Sequence, residues 1–247
     1  MTNNPALEIA LRHLKLPAFV QHYERFADDA ACANLSYDRY LQALADQEVS
    51  RREVVRQRRC LQHAGFPVLK TLADFDWHAI PQLNRAQILE LAQGAYLSRA
   101  ETIILVGNPG LGKTHIATAL GVAAAHQGHQ VRFFTAAGLT ADLIQAQTEH
   151  RLTKVLAQLL KYRLLIVDEL GFLPLSPSGA QLLFQFCSTI HERVALIVTT
   201  NLRFTDWTQL FGSESLTAAL LDRLTARAHI LEFVGESYRL RQRKQRK

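Results

Sequence analysis

The sequence predicts an α/β protein in which a parallel sheet of about five strands, covered by helices, follows a small all-helical domain. Three observations carry that prediction. The first ~65 residues hold only helix-period patterns. From Glu101 onward, short apolar runs alternate with helical stretches. A glycine-rich loop joins the first of those runs to the helix after it.

The helical part comes first. Leu7, Ala10, Leu11 and Leu14 repeat at helix spacing, and Pro17 interrupts that helix. A second helix starts near Ser36 as N-cap and ends at Gly65-Phe66-Pro67. Leu41, Leu44 and Ala45 form an apolar stripe on its first half. The same face runs on through Glu48 to Arg52, Arg56, Arg59 and His63, with Val55 the one apolar residue there. Such a face either leaves the core for solvent or meets phosphates at its far end. The boundary falls near residue 67, which makes 1–67 a helical domain and 68–247 the α/β domain. Within the latter, 68–100 is an approach segment, with Ile88, Leu91, Ala92 and Ala95 on one face of Asn84–Tyr96.

The apolar runs of the second part are Thr102–Val106, Val131–Phe134, Leu164–Val167, Val194–Val198 and His229–Val234. Most read as strands buried on both faces, as in a parallel sheet sandwiched by helices. Helical patterns of ten residues or more separate them, long enough for right-handed crossovers.

Composition narrows the class. The chain has 247 residues, 48% hydrophobic and 20% charged, which suits a globular protein of one or two domains. No apolar run approaches the ~20 residues of a membrane helix, and the N-terminus lacks the basic start and apolar core of a signal peptide. Three scattered cysteines, Cys32, Cys60 and Cys187, fit a reducing cytosol, so a cytoplasmic location is expected. The net charge is +6. The segment 239–247 carries six Lys/Arg and no acid; without it, 28 basic residues fall to 22 and match the 22 acids. The basicity is therefore a tail, within 236–247. It is either a solvated terminus or an arm for a polyanion such as nucleic acid.

The chemistry starts at Gly107-Asn108-Pro109-Gly110-Leu111-Gly112-Lys113-Thr114, which matches G-x-x-x-x-G-K-[ST] at every fixed position. An apolar strand precedes it and a helix, His115–His126, follows. Glycines let successive N–H groups turn inward toward phosphate oxygens. The helix N-terminus adds partial positive charge. Lys113 reaches the β- and γ-phosphates of ATP, and the Thr114 hydroxyl can ligate Mg²⁺. The second element is Leu164-Leu165-Ile166-Val167-Asp168-Glu169. A buried strand brings Asp168 to the carboxyl edge of the sheet, where it would hold Mg²⁺, and Glu169 is placed to polarise an attacking water. A second acid there favours hydrolysis over transfer to a bound small acceptor. Val198-Thr199-Thr200-Asn201 ends another strand at the same edge, and Asn201 could orient the water or sense the γ-phosphate. Arg223, in Leu220-Leu221-Asp222-Arg223-Leu224, is either a surface salt-bridge partner or a finger offered to a neighbour's ATP.

Together these residues resemble the AAA+ ATPases, and within them the IstB/DnaC-like branch, most of all its IstB transposition helpers. The likeness runs through Gly107–His115, Asp168-Glu169-Leu170-Gly171, Thr199-Thr200-Asn201, Leu221-Asp222-Arg223-Leu224 and Gly235-Glu236-Ser237-Tyr238-Arg239. It extends to Leu72–Trp77 and, toward the N-terminus, to Leu11–Leu14 and Tyr23–Arg25. The resemblance implies strand order 5-1-4-3-2. It implies ATP-dependent homo-oligomers, decamers or helical filaments, on double-stranded DNA, which is bent or marked while a partner transposase is activated. It implies that Arg223 acts across subunits and that Arg239 is a second nucleotide sensor. It makes Leu139–Leu160 an insertion facing nucleic acid, with Arg151 and Lys154 as phosphate contacts. About thirteen residues follow Val234, too few for a C-terminal helical lid. Arg239 therefore either senses nucleotide or binds DNA with Arg241, Arg243 and Lys244. A replicative helicase loader is the nearest alternative. A small-molecule kinase and a nucleotide-gated scaffold without turnover are the more distant ones.

Overall fold

A computed structural model of the chain describes residues 4–172 and 174–238. The chain divides into two compact units, Met1–Arg59 and Cys60–Lys247.

The first unit is helical. α1 (Pro5–His13) opens on Asn4, whose side chain accepts from Leu7 N at 3.1 Å, with Pro5 in the first turn. α2 (Pro17–Cys32) starts at the proline expected to interrupt the preceding helix. Proline lacks the N–H that a first-turn residue would leave unpaired, whereas α1 has already ended at His13, closed by Lys15 at φ 56 and the Leu16 N–H on the Leu11 carbonyl. α3 (Tyr37–Ala64) continues past the division between the units. Among the described residues of this unit, Leu11, Ala18, Ala30 and Leu44 are the buried apolar ones.

Buried among them is Glu48. One carboxylate oxygen accepts from Ala18 N at the α2 N-terminus, at 2.8 Å; the other accepts from Arg52 Nε, also at 2.8 Å. Arg52 Nη2 donates in turn to the Lys15 carbonyl at 2.9 Å. Burial raises the Glu48 pKa, but the Arg52 hydrogen bond, the Ala18 N–H and the Arg52 and Arg51 charges outweigh it and hold the carboxyl below its ordinary value. The face read as apolar turning basic therefore has a structural joint at its midpoint, and Arg52 belongs to that joint.

In the second unit, five strands form one parallel sheet: β1 (Thr102–Gly107), β2 (Val131–Thr135), β3 (Leu164–Leu170), β4 (Ala195–Thr200) and β5 (Ala228–Phe233). Their order is β2-β3-β4-β1-β5, which is the expected 5-1-4-3-2 read from the other edge. Alternate residues along each central strand enter opposite cores. Ile103, Leu105, Leu164, Ile166 and Ile197 face α6 (Lys113–His126) and the end of α3. Ile104, Leu165, Val167, Leu196 and Val198 face α7 (Ala136–Thr148), α8 (Leu152–Leu159), α9 (Pro177–Ile190) and α11 (Glu214–Thr225), with the short α10 (Trp207–Phe211) beside them. Burial on both faces explains the unbroken apolar runs.

The approach segment is two helices rather than one. α4 (Arg85–Ala92) is capped by Asn84 and stops before Gly94, which takes φ 87; α5 (Ala95–Arg99) follows. The stretch 139–160 is likewise divided between α7 and α8, broken at His150 with φ 54. Among the described residues no helix is long and apolar enough to cross a membrane.

Candidate nucleotide-binding site

Sheet register decides which residues meet. Val106 pairs with Thr200, Gly107 with Phe233, and Thr135 with Asp168. The loop after β1, the acids ending β3 and the polar residues ending β4 therefore share the carboxyl edge of the sheet, where α/β proteins bind ligands.

The loop 107–112 is held from below and above. Leu111 is an apolar anchor, 1% exposed, in the core under α6. Gly112 precedes the first helical residue with φ 88, and a Cβ there would come within 2.7 Å of the Phe75 ring. Gly110 has φ 83, and a Cβ there would come within 2.2 Å of Ser237 Oγ. Tyr238 N donates to the Gly110 carbonyl at 3.0 Å. All three loop glycines take positive φ and each would bring a Cβ against a neighbour, Gly107 against the Phe233 carbonyl, so the loop is a backbone turn of the kind that cradles phosphates. Asn108 and Pro109 complete the turn, Asn108 through its carbonyl.

Lys113 lies at the first position of α6. Its ammonium donates to the Gly107 carbonyl at 2.5 Å and the Asn108 carbonyl at 2.8 Å. Thr114 Oγ1 donates to Asp168 Oδ1 and Oδ2, at 2.9 and 3.1 Å. Asp168 is 4% exposed, whereas Glu169 next to it is exposed. A hydroxyl and a carboxylate in contact are hard oxygen donors suited to Mg²⁺, which keeps the rest of its shell for phosphates and water. The donor set and the loop shape therefore fit Mg²⁺ and ATP. A cleft of about 410 Å³ opens beside them, lined by Thr114, Asp168 and Glu169 together with Gly65, Phe133 and Thr135.

The His115 side chain is turned to the approach segment. Its Nε2 lies 2.8 Å from the Thr71 carbonyl, and its ring meets the Phe75 ring edge-on at 5.2 Å. It fastens the loop to the approach segment, a contact that spacing along the chain does not reveal. Asn201 follows β4, with its Oδ1 close to Gly171 just beyond the acids. Arg223, on α11, lays its guanidinium over the Phe184 ring of α9 at 4.6 Å and reaches the Ala219 carbonyl at 3.3 Å. In its own chain it stands on the α9 layer, across the sheet from α6.

The remaining basic candidates fall in different parts of the chain. Arg52, Arg56 and Arg59 lie in the first unit, and Arg52 is tied to Glu48. Arg151, just before α8, bonds Glu149 through its Nε at 2.7 Å, and Lys154 is exposed on α8. Arg239, Arg241, Arg243 and Lys244 lie outside the described residues.

The parallel five-strand order, the loop between β1 and α6, and the acids ending β3 define a nucleotide-binding AAA+ P-loop domain. The fold matches the crystal structure of the DnaC helicase loader, with a TM-score of 0.53 at 22% identity over 71% of this chain and 99% of that one. It also matches the replication initiator DnaA bound to AMPPCP and single-stranded DNA, with a TM-score of 0.57 at 19% identity over 74% of this chain and 55% of that one. The chain belongs to the family described as IstB-like ATP binding protein, whose model matches residues 9–246. It is 39% identical over 238 residues to the protein named for ATP binding in insertion sequence IS21 of Pseudomonas aeruginosa, covering 96% of this chain and 90% of that one. It is 35% identical over 231 residues to the counterpart in IS232 of Bacillus thuringiensis subsp. berliner, covering 94% and 92%.

Proposed function

We propose that the protein is an ATP-hydrolysing switch of transposition that assembles on double-stranded DNA, remodels it and activates a partner transposase in the cytoplasm. One observation supports hydrolysis above all: Thr114 and Asp168 are in contact, and the exposed acid Glu169 follows directly at the same sheet edge.

Lys113 exchanges the Gly107 and Asn108 carbonyls for the β- and γ-phosphate oxygens. Thr114 and Asp168 would hold Mg²⁺, which when bound would supply charge neutralising the phosphates. Glu169 accepts the proton of the attacking water, and Asn201 orients that water. Arg223 stabilises the developing charge in a neighbouring copy, so the site is completed in a decamer or helical filament. The helical domain 1–67 supplies contacts for DNA, partner or self-assembly. Arg56, Arg59, Arg151, Lys154 and the tail residues Arg241, Arg243 and Lys244 meet phosphates, while Arg52 adds charge without leaving Glu48. Arg239 joins either the nucleotide or the DNA.

The test is ATP turnover with and without duplex DNA, in the wild-type protein and in Glu169→Gln, alongside electron microscopy of the ATP-bound protein on duplex. Stimulation by DNA, a loss of about 100-fold in the variant and ordered oligomers on DNA are expected. Turnover equal in both proteins would remove Glu169 from its role. Assemblies that form with background turnover would make the protein a nucleotide-gated scaffold instead.

A further inference from the structure

β3 and β4 do not stay in step to their ends. Val167 pairs with Val198, but Leu170 pairs with Thr200, so Asp168 and Glu169 together oppose the single residue Thr199. This is a β-bulge on β3, a device that re-aims side chains and interrupts the ladder locally. At the bulge Asp168 is buried and Glu169 is exposed. The bulge also puts Glu169 at φ 61, a conformation that residues with a Cβ adopt at a cost.

Something must hold that conformation, and the ladder cannot, because its register is broken at this point. Thr199 takes its place. Its Oγ1 accepts from Glu169 N at 2.9 Å and donates to Asp168 Oδ1 at 2.5 Å. The residue is 1% exposed, so neither bond is freely traded for water. One hydroxyl thus spends its proton on the acid beside Thr114 and its lone pair on the backbone of the acid that faces the cleft.

We infer that Thr199 is a positioning residue for ATP hydrolysis. It fixes the Asp168 carboxylate against Thr114 and, through the backbone of the bulge, sets the direction of the Glu169 carboxylate. The inference rests on the hydrolytic reading above and assigns Thr199 no contact with nucleotide. Outer-shell partners of metal-holding carboxylates typically govern activity by about 10- to 100-fold.

The experiment compares wild type, Thr199→Val and Thr199→Ser in the full chain. Valine keeps the shape and removes both bonds; serine keeps the hydroxyl and loses only the methyl group. The readouts are kcat for ATP, affinity for a fluorescent non-hydrolysable ATP analogue and the Mg²⁺ concentration giving half-maximal turnover. The expected result is a kcat lowered about 10- to 100-fold in Thr199→Val, with analogue affinity kept within about threefold, a raised Mg²⁺ requirement, and near wild-type turnover in Thr199→Ser. A wild-type rate in Thr199→Val overturns the positioning role, and so does a serine variant as slow as the valine one. Loss of analogue binding in Thr199→Val in parallel with turnover also overturns it, because that is the signature of a merely structural residue. If the wild-type protein itself fails to turn over ATP with or without duplex DNA, the hydrolytic reading falls, and this inference with it.

Discussion

The Thr114 hydroxyl and the Asp168 carboxylate meet at 2.9 Å although 54 positions separate them in the chain. The β1–β4–β3 register brings them together, and under the proposed function these two residues would hold Mg²⁺. In Asp168→Asn, Thr114 keeps a hydrogen-bonding partner but the negative charge is gone. ATP turnover is expected to fall about 100-fold or more, with the remaining activity shifted to higher Mg²⁺. A Mg²⁺ titration of ATP turnover checks this, and an unchanged half-saturation point would contradict it.

Lys113 makes charge-assisted bonds to two carbonyls of its own loop. Under the proposed function, phosphate oxygens, which carry more charge, replace them. Truncation in Lys113→Ala removes bonds worth about 1.5–3 kcal/mol, so affinity for a fluorescent ATP analogue is expected to drop roughly 10- to 100-fold. Equilibrium fluorescence titration measures it directly. Affinity equal to wild type would mean that the ammonium does not engage the phosphates.

Glu48 predicts a pH dependence for the stability of the helical unit. Its native pKa is lowered, so its stabilising contribution is complete above the ordinary carboxylate value of about 4.3 and is lost as pH falls through the lower native value. Glu48→Gln can still accept from Ala18 N but loses the ion pair with Arg52. Circular-dichroism melts from neutral pH to pH 3 are expected to show a lower midpoint for the variant at neutral pH, and a gap that narrows in acid. A gap independent of pH would show that the charge on Glu48 is not what stabilises the joint.

Truncation after Tyr238 tests the basic tail while preserving the Tyr238 bond to Gly110. The six Lys/Arg of residues 239–247 are removed. If they neutralise phosphates, the slope of log affinity for duplex DNA against log salt becomes shallower by up to about 5, near 0.9 per phosphate contact. Binding curves at several salt concentrations give the slope. An unchanged slope returns the tail to a solvated terminus.

The strands and the phosphate loop were legible because their signals are local. An apolar run bounded by Gly107, or by Asp168 and Glu169, needs no distant partner to be read. What escaped depends on pairs far apart in sequence. Glu48 looked like a residue passed over between an apolar and a basic stretch, because Ala18, thirty positions away, gives it its role. Pro17 reads as a break, but it starts α2, and α1 ends earlier at the left-handed Lys15, which no breaker residue marks. The hold of Thr71 and Phe75 on His115 and Gly112, and that of Ser237 and Tyr238 on Gly110, arise from loops whose paths periodicity does not specify. Thr199 stood inside a recognised polar cluster, but its importance comes from a slipped register, which alternation of apolar residues cannot reveal.

The position of β1 in the sheet has a consequence during synthesis. Both of its partners come later in the chain: β4 at Ala195–Thr200 and β5 at Ala228–Phe233. At about 5–20 residues per second, the strand that carries the phosphate loop waits roughly 10 s on the ribosome before β5 exists to pair with it. Pairings across such separations also make the folding step itself slow. A nascent chain cut short before Ala228 therefore carries the whole ATP motif in its sequence without the β5 neighbour that closes one side of β1, so premature termination is expected to leave no partly working switch.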